Sequence, residues 1–189
     1  MATSASPSGF TLRKNLNGQS RAMQYTIGST YGTAIGYGDP VILNTDGTLN
    51  IGTATNDILG IFAGVEYIDS TGKPTGSKNW VAGTVGTEIK AFVYMDLNDV
   101  FEVQVGSGGS GYVQTIIGAQ ADVVMAAPNA TTGQSASYLN ATPEAGGAQG
   151  QFRVIGFGSD GIYNATTNTF PTVLVQIAQS QYAASKVGI

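Results

Sequence analysis

The stretch NDILGIFAGVEY, Asn56 to Tyr67, constrains the fold more than any other. It is almost wholly apolar, yet it contains Gly60 and Gly64. It is far shorter than the ~20 apolar residues that a membrane helix needs. Inside a helix each glycine would cost about 1 kcal/mol relative to alanine. Inside a strand, glycines mark a bulge or a place where another backbone comes close. Ile58, Leu59, Ile61, Phe62, Val65 and Tyr67 favour a pleated surface. The stretch therefore reads as a central strand, buried on both faces and bent at one glycine or both. Glu66 and Asp69 close it.

The surrounding segments have the same texture of short apolar runs cut by turn signals. Asp39-Pro40 leads into a strand from Val41 to Leu43. Asn44 to Gly47 form a turn, because Asp46-Gly47 visits left-handed angles at little cost, and Thr48 to Ile51 return as a hairpin. Thr87 to Met95 place Ile89, Ala91, Val93 and Met95 on one face. Val100 to Val105 alternate, with Phe101, Val103 and Val105 inward and Glu102 and Gln104 outward. Asp96 to Asp99 have turn composition, so these two strands read as a second hairpin. QFRVIGFG and TVLVQIAQ form a third strand pair, joined by the polar linker SDGIYNATTNTFP. Thr115 to Ala127 fit a short helix or two brief strands.

These readings give an all-β fold, a small antiparallel barrel or sandwich with an extended N-terminal arm. Residues 1–30 form the arm, 31–178 the β domain and 179–189 a C-terminal tail, helical or frayed. Along the arm, Phe10, Leu12, Leu16 and Met23 stand isolated among polar residues. Such a segment is disordered or ordered against something else.

Composition narrows the chemistry. The 189 residues include no cysteine, which removes disulfides, thiolate metal sites and cysteine nucleophiles. Histidine is absent too, so no Ser-His-Asp triad and no imidazole zinc site can be built. The formal net charge is −4, with only eight Lys and Arg, and the one small cationic cluster is Arg13-Lys14 with Arg21 nearby. That is too little to displace counterions from phosphates, so no direct nucleic-acid binding is expected. MATSASPSGF lacks a basic region followed by an apolar stretch, so neither a secretory leader nor a membrane association is expected.

The remaining motifs have plain readings. GSGGSG, Gly106 to Gly111, matches a dinucleotide pattern, but no acidic residue lies between Asp122 and Glu144 to hold a ribose. It reads as a flexible loop. The sequons at Asn129, Asn140 and Asn164 read as turn-forming Asn-Thr tracts. Glu66 with Asp69, and Asp96 with Asp99, read as solvated turn carboxylates rather than a glycosidase pair. Trp80 and the tyrosines would be the platform of a carbohydrate-binding module or adhesin, if the chain were one. The sequence thus calls for no catalytic residue, no cofactor and no metal, and favours a binding or structural role over an enzyme.

One likeness goes further. GDPVILNTDGTLN, NDILGIFAGVEYIDSTGK, AFVYMDLNDVFEVQV, QFRVIGFG and TVLVQIA follow in an order that resembles head-decoration, or cement, proteins of tailed bacteriophages. SPSGFTLRKN is similar to the arm with which such proteins open. The resemblance runs from about Gly38 to Ile177 and consists of strand patterns. It implies a homotrimer on the capsid exterior of the virion, with the major capsid protein as partner. Phe10, Leu12, Arg13 and Lys14 are then the arm residues expected to contact the capsid. A tail or fibre component of the same virion is the neighbouring alternative.

Overall fold

The computed structural model describes residues 5–108, 114–144, 148–158 and 169–183. Thirteen strands are described: β1 (Thr11–Asn15), β2 (Ala22–Ile27), β3 (Pro40–Leu43), β4 (Thr48–Ile51), β5 (Gly60–Asp69), β6 (Pro74–Ser77), β7 (Gly86–Tyr94), β8 (Asp99–Gln104), β9 (Gln120–Ala121), β10 (Val123–Val124), β11 (Tyr138–Leu139), β12 (Phe152–Phe157) and β13 (Thr172–Ile177). Among the described residues there is no α-helix, only a single 3-10 turn at Gln114–Ile116. The fold is all-β.

Two assemblies share the chain. In the first, the order β3-β4-β2-β7-β5 closes on itself because β5 pairs back to β3 (Pro40↔Ile61, Val41↔Gly60). The result is a five-stranded barrel with β6 added on β5. All its pairings are antiparallel except β2–β4. In the second, β1-β8-β13-β12-β9 form an antiparallel sheet. Two cores follow. The barrel encloses Ile27, Val41, Leu49, Phe62, Ala91 and Trp80 among others. The sheet packs Phe101, Val103, Phe152, Val154 and Val175 over Ile58 and Ile61.

β5 is the wall between them, and this explains its composition. Leu59, Phe62 and Val65 enter the barrel core, whereas Ile58 and Ile61 enter the sheet core. As far as Val65 the strand is covered on both faces and has no polar alternates; Glu66, which follows, is exposed. Its glycines have separate roles. A Cβ on Gly60 would overlap the Tyr94 carbonyl oxygen and the Val93 side chain. Gly64 has φ +128° and follows a bulge, where the β5–β7 register shifts between Phe62 and Gly64. There β5 exchanges β3 for β6 along one edge.

The β3–β4 hairpin closes as its turn chemistry dictates. Asn44 N donates to Thr48 O at 2.9 Å, Gly47 has φ +80°, and Asp46 Oδ1 accepts the Thr48 amide. β12 and β13 pair as expected, with a register shift between Val154 and Gly156. The region 115–127 resolves into the 3-10 turn and the brief strands β9 and β10, not a helix.

Three expectations are corrected. β7 and β8 exist but do not pair: β7 lies in the barrel between β2 and β5, and β8 lies in the sheet between β1 and β13. Asp96 to Asn98 carry the chain from one assembly to the other. Glu102 and Gln104 are not solvated; both are buried, Glu102 against Arg13 and Gln104 under the Ser6 amide. The N-terminal segment is not a free arm, since it supplies β1 to the sheet and β2 to the barrel. Of the tail, residues 179–183 are described and pinned. Ile58 N donates to Gln179 O at 2.9 Å, and the Gln181 amide clasps both the N–H and the carbonyl of Leu43. Residues 159–168 of the polar linker and 109–111 of GSGGSG lie outside the described residues.

Gly60→Val should sharply reduce soluble yield and lower stability by about 3 kcal/mol or more, since both obstructing groups belong to a packed strand. A variant with an unchanged thermal midpoint would refute the close approach at Gly60.

Candidate functional site

The four residues expected to meet a partner fall at the start of the described fold, and β1 treats each differently. Phe10 is buried; its ring stacks on Phe152 at 4.3 Å between centroids, and its amide donates to Gly38 O at 2.9 Å. Leu12 is half-buried against the same core. A register shift between Leu12 and Lys14 turns Arg13 outward, where its Nε donates to Glu102 Oε2 at 2.6 Å. Lys14 is exposed. Phe10 and Leu12 therefore belong to this chain's own core, and only Lys14 and part of Arg13 face outward. The reason is that β1 needs its apolar alternates to close the sheet core beside β8.

The link from β1 to β2 forms an exposed turn. Asn17 N donates to Asn15 Oδ1, and Gly18 has φ +122°. The turn carries Leu16, 54 % exposed, and leads through Arg21 to Met23, 52 % exposed. It is anchored from beneath. Asn15 Nδ2 donates to Asp96 Oδ2 at 3.0 Å and to Asp99 Oδ1 at 2.8 Å, and Ser20 Oγ donates to Asp99 Oδ2 at 2.8 Å. Burial pushes the Asp99 carboxyl up from its ordinary value; Asn15 and Ser20 oppose this, and Asp96 adds to it. Asp96 itself is held down, chiefly by the Asn98 amide. So Asp96 and Asp69 are solvated turn carboxylates as expected, the latter bonded to Thr71 and Lys73. Asp99 is a buried anchor instead.

Sequence reasoning does not single out a second buried carboxylate, Asp39, which has no exposed surface. It accepts the Gly36 amide at 2.7 Å and the Ser135 and Ser137 hydroxyls. Burial raises its carboxyl above the ordinary range, and the three donors oppose the rise. It locks the 128–137 loop to the start of β3. Its only sequence signal is its place before Pro40, which does not distinguish it from other turn acids.

The other candidate chemistry is absorbed by the fold. Trp80 is fully buried in the barrel core, with Nε1 donating to Tyr31 O at 3.1 Å, so it is no ligand platform. Asn129 Oδ1 caps the amides of Thr131 and Thr132, and Asn140 Oδ1 that of Thr142. Asn164 lies outside the described residues. Among the described residues no three acids group as a metal site, and no helix is long and apolar enough to cross a membrane. Comparison with protein-family models, with curated proteins and with solved structures finds no match.

Phe10→Ala should cost about 3–5 kcal/mol in urea denaturation, as for a large core truncation, while Lys14→Ala leaves the midpoint unchanged. Equal, small effects at both positions would restore the free arm. For Asp39 the sign is opposite to the usual carboxylate. Its folded pKa is raised, so its proton-linked stability is present below the ordinary value of 3.8 and is lost as pH rises through the folded value. Stability of wild type minus that of Asp39→Asn should therefore fall as pH rises across that window. A difference that grows with pH would show that the three donors outweigh burial.

Proposed function

We propose that the chain is a structural protein of a tailed-phage virion. It decorates the outside of the capsid and stabilises it by clamping neighbouring major capsid protein subunits, as a homotrimer. The observation that carries this reading is the ordered strand succession from GDPVILN to TVLVQIA, which resembles cement proteins. Those segments coincide with β3, β4, β5, β7, β8, β12 and β13, the strands that frame both cores. The likeness thus concerns the framework of the fold rather than a surface motif.

The physics of such a clamp is simple. A protein that binds only the assembled shell shifts the equilibrium toward assembly. Repetition over many equivalent sites, with more than one contact per molecule, multiplies the effect. The reading needs no catalysis, cofactor, nucleic acid or membrane. It does need an exposed contact surface whose residues are not already committed to the core. The β1–β2 turn, with Lys14, Leu16, Arg21 and Met23, is the part of the expected arm that meets this condition. The segment itself carries only cations, since no Asp or Glu precedes Asp39 in the chain, with Asp96 lying beneath the turn. An acidic rim around an apolar contact on the shell would complement it.

Quantitative peptide mass spectrometry of purified virions should find this protein near one copy per major capsid subunit. A ratio of a few per hundred would move it to the tail, and its absence would overturn the reading. The double variant Lys14→Glu, Leu16→Asp should melt like the wild type yet lose at least tenfold in affinity for preassembled shells. Undiminished affinity would remove the turn from the contact.

A further inference from the structure

A second surface lies where the barrel meets β10. It is a groove of ≈ 580 Å³, within the range of ligand sites, which favour such junctions. One wall is the extended segment through Val124, Met125 and Ala127; the other holds Ala34, Ile51 and Ala54. None of its lining residues is charged.

The backbone of the first wall is only half used. In an antiparallel pair, amides turn toward the partner on alternate residues. Asn140 N donates to Asp122 O at 2.8 Å, and Val124 pairs with Tyr138. The residues facing β11 are therefore Asp122 and Val124, and Ala126 continues the series by donating to Ser137 Oγ at 3.3 Å. Val123, Met125 and Ala127 face the other way. The Val123 amide is satisfied there by Gln151 Oε1 at 3.0 Å. Gln151 Nε2 in turn donates to the carbonyl of Thr53 on the opposite wall at 2.6 Å, and to that of nearby Asn56 at 2.7 Å. A side-chain amide thus bridges the two walls at one end of the groove. The next two amides in the same row, Met125 and Ala127, have no partner among the described residues.

We infer that the groove binds an extended, uncharged peptide segment of another protein, which pairs with the Met125 and Ala127 amides as an added strand. Gln151 shows what chemistry fits, for its amide group presents the same acceptor and donor as a peptide bond. Strand addition supplies affinity through the main chain, and pockets for alternate side chains select sequence. Here those pockets are apolar, and a charged side chain entering them would lose its hydration without a counter-ion. A second copy of this chain is a poor match. β1 carries Arg13 and Lys14, the open half of β2 follows Arg21, and β6 lies between Lys73 and Lys78. Each of these open edges would bring a cation to an uncharged groove. The inference does not depend on the capsid reading, since it concerns a different surface and any protein that offers such a segment.

The test is selection from a random peptide library displayed against the full-length protein. Enriched peptides should lack Asp, Glu, Lys and Arg across their central residues. On binding, hydrogen exchange followed by NMR should slow at the Met125 and Ala127 amides. Ala127→Pro, which removes one of the two donors, and Ala54→Glu, which places a charge in the groove, should each weaken binding at least tenfold. Ala54 is exposed, so Ala54→Glu is read even if the proline variant does not fold. Enrichment of charged peptides, unchanged exchange at both amides, no groove-directed peptide, or affinity unaffected by Ala54→Glu would overturn the inference. So would concentration-dependent self-association in sedimentation that Ala54→Glu abolishes, which would make a second copy the occupant.

Discussion

The structure depends on one strand whose first half, Gly60 to Val65, lies between two cores. β5 sends Phe62 and Val65 into the barrel and Ile61 into the core beneath the sheet. Each assembly alone would be small, and small cores leave little margin over conformational entropy. Sharing a wall lets the two cores support each other, because the strand cannot leave one without opening the other. The cost falls on the backbone. A strand serving two cores must curve with the barrel and release β3 for β6, and it does so at the bulge before Gly64 and the close approach at Gly60.

The seams between the assemblies are handled by carboxylates. Where a chain leaves one sheet for another, its amides lose their ladder partners, and buried amides must be satisfied somehow. An ionised carboxylate accepts several donors at once. Asp39 gathers Gly36, Ser135 and Ser137, and Asp99 gathers Asn15 and Ser20. Each joins segments distant in sequence and reinforces the backbone pairing beside it, Tyr37 with Gln134 and Asn15 with Asp99. Burial raises the cost of ionising both, as their upward shifts record. The local donors offset part of that cost without removing it.

This arrangement decides what can be read from sequence. The β3–β4 turn is legible because Asp46-Gly47 acts locally. The double-faced burial of β5 from Gly60 to Val65 is legible because two cores leave no polar alternates there. Pairing is not. Asp96 to Asp99 look like a hairpin turn, and nothing in those residues says that Asp99 is buried under Asn15 while Asp96 faces water. The N-terminal strands escape for a related reason. Ala22, Met23 and Gln24 of β2 are all exposed, so no alternation marks the strand, and Phe10 enters its core one residue before β1 begins. Trp80 shows the converse, since a lone tryptophan says nothing about whether a barrel will close over it.

The shared wall also limits what this protein can offer a partner. Its large apolar residues lie mostly in the two cores, and Phe10 and Leu12 lie with them. Among the described residues Val81, Val85, Ile117 and Tyr182 are also exposed, but the two surfaces proposed for recognition are the turn carrying Leu16 and Met23 and the row of Met125 and Ala127. These differ in kind. The turn offers side chains and positive charge, so its contacts are graded and sensitive to salt. The groove offers main-chain donors in an uncharged setting, so its contacts depend on the partner's conformation and resist screening. Substitutions at Leu16 or Ala54 touch neither core, so each contact can be removed without unfolding the other. Were both proposed contacts made, one molecule would hold two neighbours at once through different physics, which is what the proposed clamp requires.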